Sequence, residues 1–139
     1  MMLRLIACSL VLTCLGCGGR AFEMAPVAGT VTLDGQSLAD AKVVFQPMAA
    51  EGTTDAGAGS VGTTDASGKF TLTCVDDRPG AVVGKHRVSI STYKGDETAE
   101  GMVTIAEEKV PEKYNEETTL TFEVPSGGTD AANFDLTSS

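Results

Sequence analysis

Apolar residues recur at every second position along most of the chain, and turn-forming residues interrupt them at short intervals. Within residues 27–47, VAGTVTLDGQSLADAKVVFQP, Val27, Gly29, Val31 and Leu33 fall on one face, while Ala28, Thr30 and Thr32 fall on the other. The alternation predicts a strand buried on one side. Asp34-Gly35 follows, two residues that tolerate positive φ and so predict a tight turn, with Leu38 plugging one end of the core just after it. A second strand covers residues 41–46, with Ala41, Val43 and Phe45 inward, and Pro47 stops it.

Residues 48–62 lose the period and read as a mobile surface loop. Residues 61–64 and 69–75 flank Asp65-Ala66-Ser67-Gly68, which predicts a hairpin with Gly68 in the left-handed position and Phe70, Leu72 and Cys74 on one inner face. After the turn at residues 76–80, residues 84–92 predict a strand with His86, Val88 and Ile90 inward and Lys85, Arg87 and Ser89 outward. Residues 94–101 read as a polar loop and residues 102–110 as a further strand or edge segment. A final hairpin alternates Leu120, Phe122 and Val124, turns at residues 125–130, and closes the core with Phe134 and Leu136. Four of the five Phe residues thus take inward positions on different strands. The fold expected is all-β: a single antiparallel Greek-key β-sandwich of about seven strands over residues 27–139.

Composition agrees with one such domain. The chain has 139 residues, 42% of them hydrophobic but only 5% aromatic and none Trp, so the core must be built from Val, Leu, Ile and a few Phe. A formal net charge of -9 removes any general attraction to phosphate backbones, and nucleic acid is not expected as a partner.

The opening of the chain is of another kind. Arg4 precedes an apolar run over residues 5–15, broken only by Ser9 and Thr13, and the run ends in Gly16-Cys17-Gly18-Gly19. It is too short to span a bilayer, which takes about 20 apolar residues, and its charge and small-residue ending are those of an export signal. Leu15-Gly16-Cys17 resembles the lipobox of bacterial lipoproteins. That resemblance implies a signal peptide over residues 1–16, an acylated Cys17 as the new N-terminus, and a tether over residues 17–26. In the same family Gly18, as the residue after the acylated cysteine, implies the outer rather than the inner membrane. An ordinary secretory signal cut near Gly18 or Ala21 is the alternative. Cys8 and Cys14 lie within the signal, which leaves Cys74 as a lone thiol unable to staple the domain.

Three segments carry a second resemblance: GTVTLDGQSLADAKVVFQP, GTTDASGKFTL and GAVVGKHRVSI, in that order. Their succession over residues 27–90 resembles the carboxypeptidase regulatory-like, or transthyretin-like, β-sandwich. The VPEKYN stretch and the Phe-Asp-Leu ending are similar to small bacterial lipoproteins made of this domain alone. The resemblance implies no enzymatic activity.

The residues point the same way. Nucleophilic catalysis needs a nucleophile, a base and an orienting group, and the single histidine, His86, is expected on an inner face as a packed, hydrogen-bonded residue. No Cys/His spacing suits zinc, and no glycine-rich phosphate loop opens a helix. No cofactor is expected. Calcium is the one metal the composition permits, with Asp65, Asp76 and Asp77, and Asp55 beside them, as loop carboxylates, although Asp65-Ala66-Ser67-Gly68 is also ordinary turn chemistry. Sugar platforms use exposed aromatics, and only Tyr93 and Tyr114 qualify. The function expected is a non-enzymatic, lipid-anchored extracytoplasmic module, structural or protein-binding, held to the membrane through its anchor and facing an unknown protein partner. A soluble exported module for a small ligand, calcium or a glycan is the alternative.

Overall fold

The computed structural model describes residues 22–139. Over that range the chain is all-β, with one turn of 3-10 helix at Glu112–Tyr114. Two sheets pack face to face. The larger is ordered β12 (Thr121–Val124), β9 (Gly84–Ser91), β4 (Lys42–Pro47), β5 (Ser60–Thr63) and β7 (Thr73–Cys74), each antiparallel to its neighbours. The second holds β13 (Phe134–Leu136), β2 (Ala28–Leu33) and β3 (Gln36–Ser37), with β6 (Lys69–Thr71) paired to the first half of β2. Two ribbons complete the fold: β1 (Met24–Ala25) with β8 (Ala81–Val82), and β10 (Lys94–Thr98) with β11 (Gly101–Ala106).

The alternation in the sequence becomes the core. In β4, Val43 and Phe45 are buried while Lys42 and Gln46 are exposed, and in β9, His86, Val88 and Ile90 are buried between exposed Lys85 and Arg87. Facing them are Val31, Phe70, Leu72, Phe134 and Leu136. Each such side chain contributes about 1.5–3 kcal/mol by leaving water. Phe45 is the hub, with its ring centroid 5.6 Å from Phe122, 6.1 Å from Phe134 and 5.4 Å from the His86 ring. Leu38 is buried at one end as expected, and Asp34 and Gly35 take positive φ in the turn before it. Gly68 likewise sits at φ 74°.

Residues 24–25 of the expected tether are strand β1, with Ala25 in the core, and three further features differ from the sequence expectation. Residues 69–74 do not return along one partner: Lys69–Thr71 pairs β2, the Leu72 amide donates to the Val27 carbonyl at 2.9 Å, and Thr73 then pairs Val61 in the other sheet. One run therefore stitches both sheets and counts as two strands. Residues 94–101 are mostly strand β10 instead of a loop. The last hairpin is absent, because β12 joins β9 whereas β13 lies parallel to β2, with Phe134 beside Val31 and Leu136 beside Leu33. The crossing is made at Gly127 and Gly128, whose φ values of 90° and 86° turn the chain over the end of the sandwich instead of back along β12. The Thr129 amide donates to the Pro26 carbonyl and the Ala28 amide to the Thr129 carbonyl, both at 2.9 Å, so the crossing is fastened to the start of β2.

Candidate functional site

β9 ends at Ser91, and after the buried Thr92 the chain leaves the sandwich as the β10–β11 arm and re-enters at the buried Val110. Neither arm strand pairs with any other strand among the described residues. Glu108 closes the base. Its Oε1 accepts from the Thr92 amide at 2.9 Å, the Thr92 hydroxyl at 3.1 Å and the Val110 amide at 3.0 Å, while Oε2 accepts from the Ser91 hydroxyl. Partial burial pushes the Glu108 carboxyl up, but these hydrogen bonds outweigh it and hold the group below its ordinary value, ionised at neutral pH. The Lys109 amide adds a bond to the Thr92 hydroxyl at 2.8 Å, and Lys94 approaches Asp40 at 3.7 Å.

A ribbon fastened at its base and free beyond it has no buried face. Met102 is 67% exposed, Val103 49%, Ile105 65% and, just before β10, Tyr93 47%. On one side of the ribbon the Tyr93 hydroxyl and the Met102 methyl lie over Gly95, 2.8 and 3.2 Å from where a Cβ would stand. Acidic residues surround this apolar stretch: Asp96 opposite Val103, Glu97 opposite Met102, Glu100 in the turn, and Glu107 just past β11. Beside the base lies a 590 Å³ cleft walled by Tyr93, Glu108, Glu112 and Asn115. From the sequence, residues 94–101 read as a loop and residues 102–110 as a strand or edge segment, so β11 is legible but its partner β10 is not; the signal for an arm is three large apolar residues in residues 102–105.

The sequence-derived candidates do not converge on one place. Asp65 is occupied within its own turn, its Oδ1 accepting from the Ser67 amide at 2.8 Å and the Lys69 amide at 3.0 Å. Asp76 accepts from the Arg78 side chain at 2.8 Å, and that hydrogen bond, before any other influence, holds its carboxyl far below the usual range. Asp77 takes φ 70° in the same turn, and Asp55 serves the Gly57 amide at 3.4 Å. No group of three or more metal-ligating side chains forms among the described residues. Cys74 is a buried free thiol in β7. Tyr114 is half-buried, its hydroxyl 3.2 Å from that of Thr137 and its ring 5.0 Å from the Lys113 ammonium. Cys17 and the signal segment lie outside the described residues, and no helix among those described is long and apolar enough to cross a membrane.

His86 is fully buried, its Nε2 donating to the Val82 carbonyl at 2.6 Å and its Nδ1 left without a partner. A carbonyl can only accept, so the proton sits on Nε2 in the neutral ring. Burial lowers the pKa from its ordinary 6.5, partly offset by the Val82 bond. The unfolded chain thus takes up a proton more readily than the folded one, and the stability that the neutral ring carries above pH 6.5 is lost as pH falls toward the depressed folded value. The thermal midpoint is expected to fall between pH 7 and pH 5, and this slope to flatten in His86→Met. An equal slope in both proteins refutes the assignment.

Comparison with known protein families, with curated proteins and with solved structures yields no match.

Proposed function

We propose that the chain is a non-enzymatic β-sandwich anchored by lipid on the extracytoplasmic side of a membrane, the outer membrane in preference to the inner, where it acts as a protein-interaction module. The observation that carries this reading is the β10–β11 arm, which keeps Met102, Val103 and Ile105 in solvent although the sandwich behind it has a closed core. Apolar surface gathered on one protruding element, with polar residues around it, is the mark of a partner site. The anchor rests on the apolar run over residues 5–15 ahead of Cys17. One acyl chain holds a protein only marginally, so more than one is expected on Cys17. The lone, buried, neutral His86 suits a packing role and not that of a general base.

Fractionation of a bacterial host tests the anchor: the protein is expected with the membranes, and Cys17→Ala with the soluble fraction. Retention of Cys17→Ala on the membrane refutes the lipid anchor. A photo-cross-linking residue placed at position 103 in living cells is expected to give discrete adducts that the same residue at Arg87, exposed on the sandwich, does not. Identical patterns from the two positions exclude the arm as the interaction surface.

A further inference from the structure

The outer edge of β11 is unpaired among the described residues, so it presents a row of free backbone N–H and C=O groups. Proteins usually blunt such an edge with charge, proline or brevity. β11 is six residues long, Gly-Met-Val-Thr-Ile-Ala, and carries neither charge nor proline. β10 is defended, with Lys94, Asp96 and Glu97 among its five residues. The register passes from Lys94↔Ala106 to Gly95↔Thr104, which leaves Ile105 as a bulge and residues 101–104 as the regular part of the open edge.

Charge decides what can lie against that edge. Glu100 stands immediately before β11 and Glu107 immediately after it. If two copies of the chain met there, parallel pairing would bring Glu100 alongside Glu100, and the antiparallel pairing that sets Val103 opposite Thr104 would bring Glu100 opposite Glu107. Like charges facing across a ladder oppose pairing, and a net charge of -9 on each copy adds to the repulsion. A strand with cationic ends turns the same two carboxylates into attractive contacts.

We propose that the free edge of β11 binds an extended segment of a partner protein whose middle is uncharged and apolar at alternate positions and whose two ends carry Lys or Arg. This inference rests on the interaction-module reading and specifies the partner's chemistry. Main-chain hydrogen bonds to residues 101–104 hold the segment, exposed Met102 and Val103, on opposite faces of the ribbon, meet successive side chains of it, and Glu100 and Glu107 set its register.

The test uses the intact exported protein and two fluorescein-labelled synthetic peptides, Lys-Thr-Val-Thr-Val-Thr-Lys and its counterpart with Glu at both ends. Fluorescence anisotropy at low ionic strength is expected to show the Lys-ended peptide bound at least about tenfold more tightly, which is about 1.4 kcal/mol, with the gap closing as salt is added. In the doubly substituted Glu100→Lys, Glu107→Lys protein the order of the two peptides is expected to reverse. Both residues are exposed, and circular dichroism checks that the variant folds. Equal binding of the two peptides, binding of neither, or self-association of the protein through β11 in sedimentation overturns the proposal. Failure here alongside discrete adducts from position 103 removes only the cationic strand; peptide binding without such adducts removes the interaction-module reading and keeps the edge chemistry.

Discussion

Phe45→Ala is expected to destabilise the domain by about 3–5 kcal/mol, a large share of the roughly 5–15 kcal/mol that holds a domain of this size together. Phe45 is fully buried at the centre of β4, and its ring touches aromatic side chains from both sheets. Its removal leaves a cavity lined by Phe122, Phe134 and His86, and strands on both sides limit how far that cavity can collapse. Urea unfolding measures the effect as a lower midpoint at unchanged slope. A loss below about 1 kcal/mol would show that Phe45 does not join the two sheets as described.

Gly29→Ala is expected to cost about 3 kcal/mol although it adds a single methyl group, the upper end of what overpacking does. An added Cβ at Gly29 would lie 1.9 Å from the Ala132 carbonyl oxygen, a backbone atom that has no rotamer by which to escape. The segment it displaces is the crossing that carries β13 to its place, held by the Ala132 amide on the Ala28 carbonyl at 3.1 Å and by the Thr30 amide on the Asn133 side chain. Gly35→Ala makes a useful companion, since nothing lies within 4 Å of its Cβ position and its strain is that of positive φ alone. In the same denaturant series Gly29→Ala should be clearly the worse of the two; equal losses would mean that backbone contact with Ala132 is not what fixes glycine there.

What the sequence disclosed depends on which strands have one wet and one dry face. Residues 28–33, 42–47 and 84–91 do, and their inward sets, Val31, Val43, Phe45, His86, Val88 and Ile90, can be read from alternation alone. β10 has two wet faces, so Lys94-Gly95-Asp96-Glu97-Thr98 shows no period and looks like a loop; it is held as a strand by the ladder to β11. Partner choice is equally silent in the local pattern. Phe134 and Leu136 are inward whether β13 returns along β12 or runs parallel to β2, and the glycines at 127 and 128 mark a turn without giving its direction. The candidate site was hidden for the first of these reasons, because an arm that buries nothing on either face breaks the rule by which the other strands were found.

The parallel seating of β13 on β2 has a kinetic consequence. Thr30 meets Asn133, 103 positions further along the chain, so the second sheet cannot be finished until nearly the whole chain is present. Closing so long a loop is entropically unfavourable before any contact rewards it, which places this chain among slow folders, on a scale of about milliseconds to seconds. Until then β2 has a bare flank, which stays open for as long as β13 is delayed. Delivery of residues 134–136 is therefore the step that removes the chain's longest-lived opportunity for mispairing.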